Sequence, residues 1–239
     1  MAQTLARPLA PTRHRLDVDG YYRMAEAGIL SEPHRVELID GEIIDMPAIG
    51  SPHAAITNRL ARHFARALRD DVALVAVQSP LRLDAYNEPE PDVMLLRPRA
   101  HGYRSSHPGA ADVLMVVEVS ESSLAHDRNT KIPLYAKFAV PEAWIVDLVS
   151  LAVEVYRAPG EGAYAPCERL TGGDLAPALV PGATIDVAGL HEALGSSARI
   201  QRQNLGRLSA APRRPSLAPQ ARRRLCRISH PFCRRTAHP

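Results

Sequence analysis

The chain has 239 residues, 46% of them hydrophobic, and a formal net charge of +3, enough for one sizeable core with room for an appendage. No stretch approaches the roughly 18 uninterrupted apolar residues of a membrane span, the N-terminus lacks the charged-then-apolar layout of a signal peptide, and Cys167, Cys226 and Cys233 are too few and scattered for a disulfide framework, so a cytoplasmic protein without a membrane partner is expected. The charge is unevenly divided: residues 196–239 carry eleven Arg and no Asp, Glu or Lys, leaving 18 of the 29 basic residues in the body against all 26 acidic ones, so the body does not advertise nucleic-acid binding through its total field, although a local basic cleft or the tail could supply it.

Residues 1–15 mix Pro, Arg and Ala without periodicity and read as a loose leader. Tyr21, Tyr22, Ala25 and Ile29 predict a short helix from Val18 that ends near Gly28. Arg35 to Met46 forms two alternating segments hinged on Asp40-Gly41, a strong hairpin signal. Its alternation sets Val36 and Leu38 against Glu37 and Ile39, so Glu37 shares a face with an apolar neighbour. Ser51-Pro52 reads as an N-cap followed by Pro at the first helical position. Ile56, Leu60, Phe64 and Leu68 then repeat down one helix face, with Arg59, Arg62, Arg66 and Arg69 mostly elsewhere.

Strands are expected at 74–83, 92–96 and 113–120, the last so continuously apolar that it must be central and covered on both sides. A helix follows over 127–138, irregular at Pro133. Trp144 to Leu148 and Leu151 to Arg157 read as a hairpin across Val149-Ser150, and 164–170 and 183–187 as edge strands. From Ser196 the composition turns to Arg, Pro, Ala and Ser and predicts disorder. Its clusters Arg213-Arg214, Arg222-Arg223-Arg224 and Arg234-Arg235 fit a nucleic-acid-contacting arm or, more simply, a dispensable extension. Cys226, His230, Cys233 and His238 are zinc-type ligands at a spacing that matches no zinc pattern. The expected organisation is a leader at 1–15, one domain at 16–195 and a tail at 196–239.

Two acids stand out. Asp92 follows Pro91, and Glu118 lies inside the apolar run Val113-Leu-Met-Val-Val-Glu-Val-Ser120, where a charge is costly unless a metal ion or a proton relay uses it. If Glu37 from the hairpin joins them, three carboxylates repel and raise one another's pKa values. A hard divalent cation, Mg2+ or Mn2+, resolves that repulsion, stabilises charge on a transferring phosphoryl group and acidifies the attacking water. Lys131 is the candidate for the remaining positive charge. His53, in the first turn of its helix, reads as a structural hydrogen-bonding residue. Gln78 is placed mid-strand, where a hydrogen bond near the site is the less favoured of its two readings, Trp144 and Tyr135 in the core, and Asp147 and Glu121 at turns or in solvent.

Glu37-Leu-Ile-Asp-Gly-Glu42, His53, Gln78-Ser-Pro-Leu-Arg-Leu83, Pro91-Asp92-Val93, Val116-Val-Glu-Val-Ser120, Ser122-Ser123, Asp127 to Lys131, Leu134-Tyr-Ala136 and Val140-Pro-Glu-Ala-Trp-Ile-Val-Asp147 together resemble the Uma-two family, a branch of the PD-(D/E)XK nuclease superfamily. The resemblance runs from about Asp17 to Leu190. It implies an α/β, restriction endonuclease-like fold, a central mixed β-sheet flanked by helices, and metal-dependent hydrolysis of DNA phosphodiester bonds. Carried over by position, Asp92 and Glu118 resemble the metal-binding acids, the carbonyl of Val119 the backbone ligand, and Glu37 the upstream acid. Ser120 departs from the motif, which has Lys there, and Lys131 resembles a relocated Lys on the adjacent helix. Double-stranded DNA is the implied partner, and a homodimer is implied by analogy with enzymes that cut both strands. The alternative is a nuclease fold without catalysis that binds nucleic acid or a protein. A phosphatase-like hydrolase needs a closed pocket, and no substrate-specific polar cluster supports one.

Overall fold

The computed structural model describes residues 13–30 and 35–192. The first twelve residues of the leader and all of 196–239, with its Arg clusters and Cys226/His230/Cys233/His238 set, lie outside them. Among the described residues no helix is long and apolar enough to cross a membrane.

A six-stranded mixed sheet organises the chain, in the order β3 (Leu74–Val77), β4 (Val93–Leu96), β5 (Val113–Ser120), β6 (Glu142–Asp147), β7 (Ala152–Arg157), β8 (Glu168–Leu170). Only β5 and β6 pair in parallel. A parallel pair needs a crossover, here α3 (Leu124–His126), a π-helical turn (Asp127–Lys131) and α4 (Ile132–Lys137). Every residue of β4, β5 and β6 is buried. That is the outcome expected of strands apolar at odd and even positions alike, since both faces need a cover.

Helix α2 (Ser51–Ala67) covers one face, laying Ile56, Leu60 and Phe64 on Val93, Met115, Val117, Val119 and Trp144. Ile132 and Tyr135 of α4 cover the other, against Met94, Val116, Ala143 and Ile145. Each such side chain contributes about 1.5–3 kcal/mol by leaving water, so the two layers pin the central strands between them. The fold is the α/β, restriction endonuclease-like sandwich that the sequence predicts, and β5 is central.

The predicted hairpin is β1 (Val36–Ile39) and β2 (Glu42–Asp45), paired Val36 with Asp45 through Ile39 with Glu42. Asp40 (φ 53°) and Gly41 (φ 75°) both take left-handed backbone, the requirement of the tight turn that matches strand twist. A Cβ on Gly41 would also stand 2.7 Å from Cβ of Arg15. Arg15 donates to the Asp40 carbonyl (2.9 Å) and lies 4.2 Å over the Tyr86 ring, and Arg13 bonds Glu42. The hairpin is fixed to the loop before β4: Asn87 Oδ1 accepts from the Asp40 amide (2.8 Å), and the Glu88 amide donates to the Leu38 carbonyl (2.8 Å). This anchoring sets the position of Glu37.

Several boundaries move. Helix α1 (Val18–Glu26), capped by Asp17, stops just before Gly28. Gly50, not Ser51, is the extended residue before α2, so Ser51 and Pro52 are its first two helical positions and no side chain caps it. Proline costs nothing there because its missing N–H has no intrahelical acceptor. Strand β3 ends at Val77, six residues early, because Gln78 adopts φ 44° and Pro80 cannot donate to a ladder. The segment 183–187 does not join the main sheet: β10 (Ile185–Asp186) pairs with β9 (Asp174–Leu175).

Candidate active site

Asp92 precedes β4, and Glu118 lies two residues before the end of β5. The antiparallel pairing of Val93 with Val117 brings these ends together. Both acids line one cleft of about 50 Å3, with His53, Glu90, Val119, Glu121, Asp127 and Lys131 also on its wall. That is space for several waters. The two acids reach it from opposite layers. Asp92 is held on the α2 side: its Oδ2 accepts from the Val119 amide (2.8 Å) and from His53 Nε2 (3.0 Å), and its Oδ1 from Gln78 Nε2 (3.2 Å). Burial opposes the charge of Asp92, but the hydrogen bond and charge of His53, then the Val119 amide, outweigh it and hold the carboxyl below its usual value. In an extended strand the N–H and C=O of one residue point to the same side, so the Val119 carbonyl, like its amide, is on the β4 side of β5.

Glu118 points to the α4 side. Its Oε1 accepts from Tyr135 Oη (2.5 Å) and lies 2.9 Å from Lys131 Nζ. Lys131 Nζ in turn lies 3.0 Å from Glu37 Oε1. All three charged side chains are at most 4% exposed. Burial pushes the Glu118 carboxyl well above its usual value; Lys131 opposes that, and the charges of Asp127, Asp92 and Glu37 reinforce it. Burial would neutralise Lys131, yet Glu118 and then Glu37 overcome it and hold the amine protonated. The triad places two carboxylates on one ammonium, and Glu37 Oε2 is buried with no hydrogen-bond partner.

The predicted residues therefore divide. Asp92, Glu118, Val119 and Lys131 share the cleft wall, whereas Glu37 stands behind it and reaches the site through Lys131. Ser120, where the motif has Lys, faces the same side as Glu118 and donates to Asp127 Oδ2 (2.6 Å), which also accepts from Ser123 (2.7 Å). Lys131 closes the π-helical turn that begins at Asp127. Gln78 leaves the strand but makes the hydrogen bond near the site that was its less favoured reading, donating to Asp92, and Tyr135 is in the core as expected while its hydroxyl donates to Glu118. Asp127 and Glu90 were missed as cleft-lining acids, as was Glu121, expected at a turn or in solvent; burial and then the charge of Glu37 raise the pKa of Glu90. The signal for these residues was that they fall inside or beside the recognised motif blocks or beside Pro91. Asp147 does cap a turn, accepting from the Val149 and Ser150 amides, but is buried.

Among the described residues no three His, Cys, Asp or Glu side chains gather as a ligand set. Zinc, which takes four such ligands, does not fit. Two carboxylates and one carbonyl, with waters filling the rest, suit Mg2+, which keeps several waters and binds one or two carboxylates. Asp92, Glu118 and the Val119 carbonyl would hold it, and no described side chain bonds Glu118 Oε2.

A mixed sheet between two helical layers, with buried acids converging at the end of adjacent strands, defines a restriction endonuclease-like, nuclease-type protein. The chain matches the model of the Uma2 family, described as "Putative restriction endonuclease", over residues 18–188, and it belongs to that family. Among solved structures it is similar to "a putative nuclease belonging to DUF820" from Anabaena variabilis, with a TM-score of 0.60 and 16% identity over 75% of this chain and 99% of that one. At that identity the likeness shows the fold alone. No curated protein matches the chain.

Proposed function

We propose that this chain is an endonuclease that hydrolyses phosphodiester bonds of double-stranded DNA with the help of Mg2+ or Mn2+. The observation that carries the reading is that Asp92 and Glu118, from different strands, open on one cleft while Lys131 stands 2.9 Å from Glu118. A bound divalent ion would supply charge for the transferring phosphoryl group and a water of lowered pKa. The chain's own residues do the rest. His53, Gln78 and the Val119 amide orient the Asp92 carboxylate, and Tyr135 and Lys131 orient that of Glu118. Lys131, held protonated, serves as a fixed cation for the developing phosphate charge rather than as a base. Glu37 fixes the ammonium from behind.

Supercoiled plasmid incubated with the protein and Mg2+ or Mn2+ tests this. Cleavage lost in both Asp92→Ala and Glu118→Ala supports it, and cleavage unaffected by either overturns it. One observation favours the alternative of a binding protein without catalysis: Lys131 is 1% exposed and spends its contacts on two acids. Salt-sensitive DNA binding with no cleavage under any divalent ion would establish that alternative.

A further inference from the structure

The cleft has a buried floor and an open rim. Asp92, Glu118, Asp127 and Lys131 are buried, whereas Arg35, Glu121 and the segment 46–50 are partly or fully exposed. The wall as a whole carries five acids, Glu90, Asp92, Glu118, Glu121 and Asp127, against two cations of Arg or Lys type, Arg35 and Lys131. Lys131 is 1% exposed and is committed to Glu37 and Glu118. A polyanion arriving from solvent therefore meets repulsion at the rim unless Arg35 receives it.

Arg35 is placed and equipped to do so. It stands at the open end of the β1–β2 hairpin, where its carbonyl accepts from the Met46 amide (2.8 Å), and the other end of that hairpin is anchored to the loop before β4. Its guanidinium donates to the Pro47 carbonyl (3.4 Å), further along the rim, which leaves the rest of its donor fork unused. Glu90, on the same wall, feels its charge, yet among the described residues Arg35 forms no ion pair with Glu90 or with any other acid. Other arginines also lack an acid partner, but among the described residues Arg35 is the only arginine that lines the cleft. A guanidinium with free donors offers phosphate a planar, bidentate fork.

We propose that Arg35 is the substrate-anchoring residue of the cleft, binding a DNA backbone phosphate next to the one that is cut. This rests on the nuclease reading above for its ligand and deepens it: the floor residues address the scissile phosphate, and Arg35 holds a neighbouring one at the rim. Such a contact is the same before and during the reaction, so it contributes affinity and register rather than rate or sequence preference.

The test compares the full natural chain with Arg35→Gln and Arg35→Lys. Binding to a labelled 30-base-pair duplex of arbitrary sequence is read by fluorescence anisotropy across about 50–200 mM salt, with Ca2+ in place of Mg2+ to limit turnover, and KM and kcat are read from cleavage in Mg2+. Losing one charge-assisted phosphate contact should weaken binding by Arg35→Gln about 10–100-fold and lower its log–log salt slope by about 0.9. Arg35→Lys keeps the charge without the fork, so it should keep the slope and lose part of the affinity. KM should rise in Arg35→Gln with kcat unchanged. Arg35→Gln retains a donor for the Pro47 carbonyl, and its urea midpoint should match that of the natural protein; weaker binding that only follows a lowered midpoint overturns the proposal in favour of a structural role. Unchanged affinity and slope in Arg35→Gln, in a protein that still cuts DNA, overturn it and leave the nuclease reading standing, as does a fall in kcat at constant KM. A weaker, flatter salt response in a protein that cuts under no divalent ion upholds it and sinks catalysis instead. A natural protein that binds no duplex overturns both.

Discussion

Two buried acids on neighbouring central strands meet opposite fates. Glu142, 1% exposed at the start of β6, is fully compensated: its Oε1 accepts from Trp144 Nε1 (2.7 Å) and Arg157 Nε (2.9 Å), and its Oε2 from the Ala178 amide (2.6 Å). It ties the segment after β9 to the sheet, and nothing in its surroundings is left over. Glu118, on β5, shares one ammonium with Glu37, has Asp127 and Asp92 close enough to raise its pKa, and opens on a cleft. Burial of an acid therefore does not mark a site. The mark is an excess of negative charge over local cations and donors, which the fold tolerates at a cost and which a cation from solution would relieve.

The comparison can be broken most sharply by activity. On the proposed function Asp92→Ala and Glu118→Ala each remove a ligand of the proposed ion, which would supply several kcal/mol of charge stabilisation, and a plasmid assay should show cleavage falling by about a thousand-fold. Glu142→Gln should cut at the natural rate. Equal loss in Glu142→Gln would erase the distinction.

Removing the cation from each cluster comes next. Lys131→Met leaves two buried carboxylates without their counter-charge and should cost about 3–5 kcal/mol in urea unfolding. Arg157→Met should cost only about 1 kcal/mol, because Arg157 is 35% exposed and Glu142 keeps two other donors. A third, smaller effect separates the clusters by ligand. Mg2+ at 100 times its dissociation constant should stabilise the natural protein by about 2.7 kcal/mol, read as a raised Tm, while Asp92→Ala stays flat and Glu142→Gln responds normally.

The sequence made the central strand legible because a run apolar at every position has one comfortable place in a sheet. The Asp40-Gly41 turn was legible because few residue pairs accept left-handed backbone twice in succession. Ser51 was mistaken for a cap because its chemistry is right, although Gly50 is the residue with extended backbone. Gln78 was lost inside a longer strand because nothing local announces a positive φ at a glutamine. Its bond to Asp92 depends on that kink, so one backbone feature hid both a boundary and a site contact. Tyr135 read as core because it is core; its hydroxyl becomes informative only when a strand from elsewhere in the chain brings Glu118 beneath it. Asp127 was hidden for the same reason, since Ser120 and Ser123 meet it through a π-helical turn that spacing alone does not forecast.

The smallest effect is the most specific, because it predicts opposite signs. Burial raises the Glu118 carboxyl well above the usual carboxylate range. A group whose folded pKa is raised contributes stability that is fully present below its unfolded pKa and is lost as pH rises through the folded one. In chelator, the stability that Glu118 contributes should therefore be lost as pH climbs from about 4.3, the ordinary glutamate value. Glu118→Gln keeps an acceptor for Tyr135 and Lys131 and leaves Lys131 paired with Glu37 alone, so it should be about 1 kcal/mol more stable at pH 8 with a smaller gain at pH 5. Glu142→Gln removes charge from bonds that are all used and should be about 1.5–3 kcal/mol less stable. Urea titrations at the two pH values measure both. If Glu118→Gln is the weaker protein at pH 8, the carboxylates at the cleft are not in excess, and the case for a cation there loses its physical basis.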